Sequence, residues 1–237
     1  MKIKIIPNPK KDWAKTLAKE VKSFLSPTHQ IVSRGADATI CIGGDGTILY
    51  TNYKGKVEGT VLGIGSVNSY ICQLRSDNWK EKIHSILGSG KTLKVLTLKA
   101  EVGGSTFSAL NDFVIHATHY RVAELDVIAD GTSTSYEGDG IILSTSIGST
   151  GYAYSAGGEK LAPSERKISV VPICPYRRAF LPKTFSQDQR VSIKVGSDCA
   201  FILDGIFIRK LKKGESVNVS KGEDLVFFSG VGESWNQ

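Results

Sequence analysis

The 237 residues carry 41% hydrophobic and 22% charged side chains, enough apolar material for one large domain or two small ones and too much for a disordered chain. Lysine and arginine number 30 against 23 acids, a net charge of +7, but the basic residues are scattered and no nucleic-acid motif is visible. An anionic small ligand explains the sign without a nucleic-acid partner.

No apolar run reaches the length of a membrane span, so no membrane partner is expected. Cys41, Cys72, Cys174 and Cys199 form no C-x-x-C pair, which argues against a zinc ribbon or redox dithiol and makes them core residues. Lys2 to Pro7 reads as a strand that starts at once, without a secretory apolar region, and implies a cytoplasmic protein.

Residues 12–26 then form a helix with Trp13, Leu17, Val21, Phe24 and Leu25 at helical spacing. Residues 30–33, 38–42 and 60–64 are short strands rich in β-branched side chains, and Ser76 or Asp77 caps a helix running to about Leu87. This alternation predicts a mostly parallel α/β domain over 1–97. From Thr92 the pattern changes to short strands, first 93–102 and last 225–228, with Asp130-Gly131 marking a hairpin. The region 98–237 is therefore a second, β-rich domain, and the fold class is α/β followed by β.

Gly43-Gly44-Asp45-Gly46-Thr47 follows an apolar strand, and a short helix beginning near Thr47 would aim its N-terminal amides at whatever the loop holds. Glycines admit backbone amides close to a phosphate, and a single carboxylate beside them can take a hydroxyl proton during phosphoryl transfer. The alternative is a tight turn in which Asp45 only caps the helix. Gly88-Ser89-Gly90-Lys91-Thr92 lies after a helix rather than a strand and reads as a glycine C-cap. Gly63-Ile64-Gly65 lacks the third glycine of a dinucleotide fingerprint and reads as a strand-to-loop turn.

Further along, Asn111-Asp112 sits between two strands, and Gly138-Asp139-Gly140 leads through Ser144-Thr145 into a hydroxyl-rich segment ending at Gly157-Gly158. That segment offers hydroxyls, amides and an aromatic ring to a polar planar ligand. His116 and His119 have a metal-chelating spacing only if helical, and their neighbourhood is strand and turn. His84 reads as structural, and Ser149 lacks the elbow and partners of a nucleophile.

In order and spacing, Gly43 to Thr47, Asn111-Asp112, Gly138 to Gly140 with Gly148-Ser149-Thr150-Gly151-Tyr152, Gly157-Gly158 and a later Leu203-Asp204-Gly205 together resemble the NAD kinase family. The resemblance implies phosphorylation of the 2′-hydroxyl of the adenosine ribose of NAD to give NADP. ATP with a divalent cation, such as magnesium, is the usual donor, and inorganic polyphosphate serves some members. By that resemblance Asp45 is the proton acceptor, and Gly44, Gly46 and Thr47 shape the phosphate loop.

Asn111 and Asp112 match the pair that contacts adenosine, and Asp139 matches an acid near the nicotinamide or a neighbouring subunit's site. Thr150, Gly151, Tyr152 and Ser155 match the lining of the dinucleotide pocket. No side-chain metal site is implied, the cation arriving on ATP, and homodimers or homotetramers are usual. The chain departs from the family at Ser146, Ile147, Gly151, Tyr176 and Ile206, and Leu74 falls near an aromatic that packs on the base; these changes bear on substrate affinity. A lipid or sugar kinase sharing only the glycine loop, or a noncatalytic dinucleotide-binding module, are the alternatives.

Overall fold

Ala38–Ile42 is entirely buried, as suits a strand covered on both faces, and a computed structural model places it inside a seven-stranded sheet. The structure describes residues 1–118 and 121–229. Strands run in the order Gln30–Ile31, Lys2–Pro7, Ala38–Ile42, Thr60–Gly65, Leu225–Phe228 and Thr92–Val95, with Leu74–Arg75 also paired to Thr60–Gly65. Pairing is parallel except between Thr92–Val95 and Leu225–Phe228.

Helix Asp12–Leu25 packs Ala14, Leu17, Val21 and Leu25 onto this sheet, while Trp13 and Phe24 remain partly exposed at the margins of the apolar stripe. Helix Trp79–Ser89 buries Trp79, Ile83, Ile86 and Leu87, the face expected from their spacing. Its N-cap is Asn78 rather than Ser76 or Asp77. It ends at Gly90, left-handed at φ 64°, so the Gly88-Ser89-Gly90 run is the C-cap its position after a helix suggests.

Residues 93–102 do not form one strand. The chain turns at Leu96-Thr97, separating Thr92–Val95 from Leu98–Val102. Two units result: Met1–Val95 with the C-terminal residues from Leu225, and Leu96–Asp224. The strand pattern of 225–228 is legible in the sequence, whereas its membership of the first unit depends on a partner more than 100 residues away, Val61 pairing with Phe227.

The second unit contains two six-stranded antiparallel sheets. One runs Thr132–Gly138, Ala123–Ala129, Val191–Val195, Ser216–Lys221, Leu98–Val102, Ser105–Ala109. The other runs Lys183–Ser186, Lys167–Ile173, Gly140–Ser144, Asp112–Ala117, Cys199–Leu203, Ile206–Leu211. Phe201 joins them, stacked on Phe113 of its own sheet at 5.4 Å and edge-on to Phe107 of the other at 5.6 Å.

Asp130 and Gly131, at φ 52° and 69°, make the two-residue hairpin between Ala123–Ala129 and Thr132–Gly138. Cys41, Cys72 and Cys199 are buried, but Cys174 is exposed beyond the end of its strand, where the following proline stops the ladder. His119 lies outside the described residues.

Candidate active site

The glycine loop connects strand Ala38–Ile42 to helix Asp45–Tyr53. Gly43 and Gly44 take φ of 140° and 101°, conformations that L side chains rarely adopt, and a Cβ on Gly43 would lie 2.6 Å from Thr47 Oγ1. Asp45 is the first helical residue and forms no capping bond to its own helix. Its Oδ2 accepts from Tyr70 N–H at 2.8 Å and its Oδ1 from Ile71 N–H at 3.0 Å, which fixes the carboxylate and leaves lone pairs on both oxygens. The capping alternative is thereby excluded.

Burial, then the charge of Asp45 and a hydrogen bond to it, push the Cys72 thiol well above its ordinary range and keep it neutral. Gly63 and Gly65 serve packing in this region, since a Cβ on either would strike Cys72 Sγ at 2.9 Å.

Thr47 is buried, donating its N–H to Gly44 O at 2.9 Å and accepting at Oγ1 from Asn8 Nδ2 at 3.0 Å. Gly46 and Thr47 both line a cavity of about 490 Å³, together with Tyr50, Lys10 and Lys56. Sequence reasoning missed Lys11. Its Nζ donates to Gly43 O at 2.7 Å and stands 3.9 Å from where a Cβ of Gly44 would be, so an ammonium lies against the loop. The only sequence signal was the Lys10-Lys11 pair after the first strand.

In the second unit, Asn111 and Asp112 open strand Asp112–Ala117, and Asp112 pairs in register with Ser144. Alternation puts Phe113 and Ile115 toward the partner sheet and Asp112 and Val114 on the opposite face. The short helix Tyr152–Ser155 covers that face, Ala153 packing with Val114, Ile142 and Val171.

Asn111 Oδ1 is buried without a hydrogen-bond partner, an acceptor whose isolation costs about 1–3 kcal/mol. Asp112 is 7% exposed. Burial first, and the charge of Asp204 second, push its carboxyl up to about 7.

Tyr152 is 44% exposed. Burial, then Cys174, Asp139 and Asp112, raise its phenol. Asp112, Asp139 and Tyr152 therefore share one neighbourhood. Thr150 is half-buried, and Gly151 and Ser155 are exposed on the same segment.

The hydroxyl-rich loop is less available than its composition implies. Thr145 Oγ1 donates to Leu110 O at 2.7 Å, and Ser149 Oγ donates to Ser146 O at 2.6 Å while accepting from Leu161 N–H at 2.9 Å. These buried hydroxyls are consumed in holding the loop, which also disposes of Ser149 as a nucleophile. Leu74 is 1% exposed in the first unit's core and cannot pack on a base. Among the described residues no group of three or more His, Cys, Asp or Glu side chains is placed to hold a metal.

A model of the ATP-NAD kinase C-terminal domain matches residues 110–228. The NAD kinase of Thermoplasma acidophilum is 31% identical over 233 residues, spanning 94% of this chain and 85% of that one.

The chain belongs to the NAD kinase family.

It is accordingly an enzyme, a phosphotransferase. The NAD kinase of Prosthecochloris aestuarii is 30% identical over 95% of this chain and 90% of its own. Among solved structures, an NAD kinase from Archaeoglobus fulgidus in complex with ATP superposes with a TM-score of 0.85 at 20% identity, covering 100% of this chain and 96% of that one. Yeast NADH kinase complexed with NADH gives 0.86 at 19%, covering 100% and 85%. The α/β and β-rich architecture is that of the NAD kinase fold. Of the departures from the NAD kinase pattern, Ser146 and Ile147 are each 1% exposed, so they alter how the loop packs, whereas Tyr176 is 56% exposed.

Proposed function

We propose that this protein phosphorylates the 2′-hydroxyl of the adenosine ribose of NAD, with ATP as donor and Asp45 as proton acceptor. The observation that carries the reading is the Asp45 carboxylate, held by two backbone amides at the opening of a glycine loop against which an ammonium stands. Phosphoryl transfer needs positioning and charge stabilisation more than covalent chemistry, and these residues supply both. Gly44, Gly46 and Thr47 shape the loop for the donor phosphates, and Lys11 offsets their charge.

Asn111 and Asp112 hold the adenosine ribose, and Thr150, Gly151, Tyr152 and Ser155 line the dinucleotide pocket. Asp139 lies toward the nicotinamide end or a neighbouring subunit's site. Residues 1–97 then supply the phosphate loop and the β-rich region the dinucleotide site.

Each Asp45 oxygen accepts one amide bond and keeps a lone pair for the proton of the attacking hydroxyl. By the family resemblance, magnesium enters as part of the Mg-ATP substrate. The resemblance also carries polyphosphate as a second donor, a homodimer or homotetramer, and a cytoplasmic setting into this proposal.

Purified protein supplied with Mg-ATP and, separately, NAD, NADH, a sphingoid base or diacylglycerol should phosphorylate a pyridine dinucleotide and leave the lipids untouched. Lipid phosphorylation without NADP or NADPH formation would reverse the assignment. Lys11→Ala should raise the KM for ATP by about 10-fold or more and leave the Kd for NAD unchanged, because only the donor-side charge-assisted contacts are lost. An unchanged ATP KM would remove Lys11 from the donor site.

A further inference from the structure

Asp204 and Gly205 form the two-residue turn between strands Cys199–Leu203 and Ile206–Leu211, with φ of 46° and 78°. The conformation of Asp204 turns its carboxylate back onto the neighbouring strand's entry. Oδ1 accepts from Asn111 N–H at 2.8 Å and Asp112 N–H at 3.0 Å, and Oδ2 accepts from Leu110 N–H at 3.0 Å. Three consecutive amides thus converge on one half-buried carboxylate, a nest closed by a side chain of the same unit.

The carbonyls of these residues are held as well. Leu110 O accepts from Thr145 Oγ1, Asn111 O from Thr145 N–H at 2.8 Å, and Asp112 O from Asp204 N–H at 3.0 Å. With every amide and carbonyl from 110 to 112 engaged, the backbone leaves Asn111 and Asp112 little freedom to reorient. Yet Asn111 Oδ1 has no partner, so the preorganised feature is the side-chain pair rather than a closed network.

We propose that Asp204 is a positioning residue for dinucleotide binding: its carboxylate sets the backbone of Leu110 to Asp112 and so the presentation of Asn111 and Asp112 to the ribose. The proposal rests on the assignment of that pair to the acceptor. Two effects of Asp204 support a role beyond closing a hairpin. Three amide bonds to a charged acceptor exceed what a hairpin turn requires, as the Asp130-Gly131 hairpin has the same turn without an equivalent nest among the described residues. The Asp204 charge also opposes ionisation of Asp112, tying the state of the ligand-facing acid to the turn.

The test compares Asp204→Asn, Asp204→Ala and the control Asp130→Asn by NAD affinity and melting temperature on the full chain. Asparagine suits the same left-handed turn, so Asp204→Asn keeps the hairpin while removing the charge. It should weaken NAD binding by about 10-fold or more, from the loss of charge-assisted amide bonds, with the folded fraction retained. Asp204→Ala should weaken it further, and Asp130→Asn should match the wild type.

A normal NAD Kd in folded Asp204→Asn, or a loss explained wholly by a smaller folded fraction with unchanged Kd, would overturn the proposal. If the wild-type protein itself binds no NAD, the acceptor assignment fails instead, and the two failures are distinguishable.

Discussion

Asp45→Asn should bind NAD as the wild type does and form NADP about 10²- to 10⁴-fold more slowly. Asparagine has nearly the shape of aspartate, and its amide oxygen can still accept one of the bonds from Tyr70 or Ile71 N–H. What it cannot do is take a proton from the attacking hydroxyl. The loss should therefore fall on kcat, with the Kd for NAD within a few-fold of wild type, because the residues proposed to hold the dinucleotide belong to the other unit. Turnover within about 10-fold of wild type would exclude Asp45 as the general base.

The second large effect concerns Asp112 and is one of stability against pH. Its carboxyl is buried, accepts no side-chain hydrogen bond among the described residues, and is raised from 3.8 to about 7 by burial and by Asp204. A folded-state value above the unfolded one means that the folded chain keeps a proton the unfolded chain has released. The group's contribution is fully present below about pH 4, declines as pH rises, and is lost once pH passes about 7.

Asp112→Asn cannot ionise. It should be more stable than wild type at pH 8.5 by roughly 1–3 kcal/mol, with the advantage vanishing toward pH 4, and should bind NAD less well. Urea unfolding at the two pH values measures this directly. An Asp112→Asn variant destabilised equally at both would mean that Asp112 is not held as a neutral acid. A residue that costs stability where it stands is a mark of a functional position.

What could be read from the sequence divides along the range of the interactions involved. Ala38–Ile42 and the Asp130-Gly131 hairpin are set by local chemistry, β-branched burial in one case and positive φ in the other, and both occur where expected. The break at Leu96-Thr97 interrupts an apolar run without glycine or proline, and nothing local announces it.

Hydroxyl composition suggested an open polar loop, but Thr145 and Ser149 spend their hydroxyls on backbone carbonyls whose positions only the fold reveals. Lys11 and Asp204 escaped a functional reading for the same reason. Each acts on a segment far off in sequence, Lys11 on Gly43 and Asp204 on Leu110 to Asp112. The Asp-Gly pair at 204–205 entered only as part of the family resemblance; that its carboxylate closes a nest of amides 92 to 94 residues away is set by the fold.

On the proposed mechanism the Asp45 loop transfers a phosphoryl group to the 2′-hydroxyl of NAD. The most direct measurement is the product formed by purified wild-type protein from NAD and Mg-ATP, assayed with a dehydrogenase specific for NADP and located on the ribose by phosphorus NMR. The expected product is NADP phosphorylated at the adenosine 2′ position and formed in proportion to ADP. ADP release without NADP, or a phosphate on any other position, would contradict it.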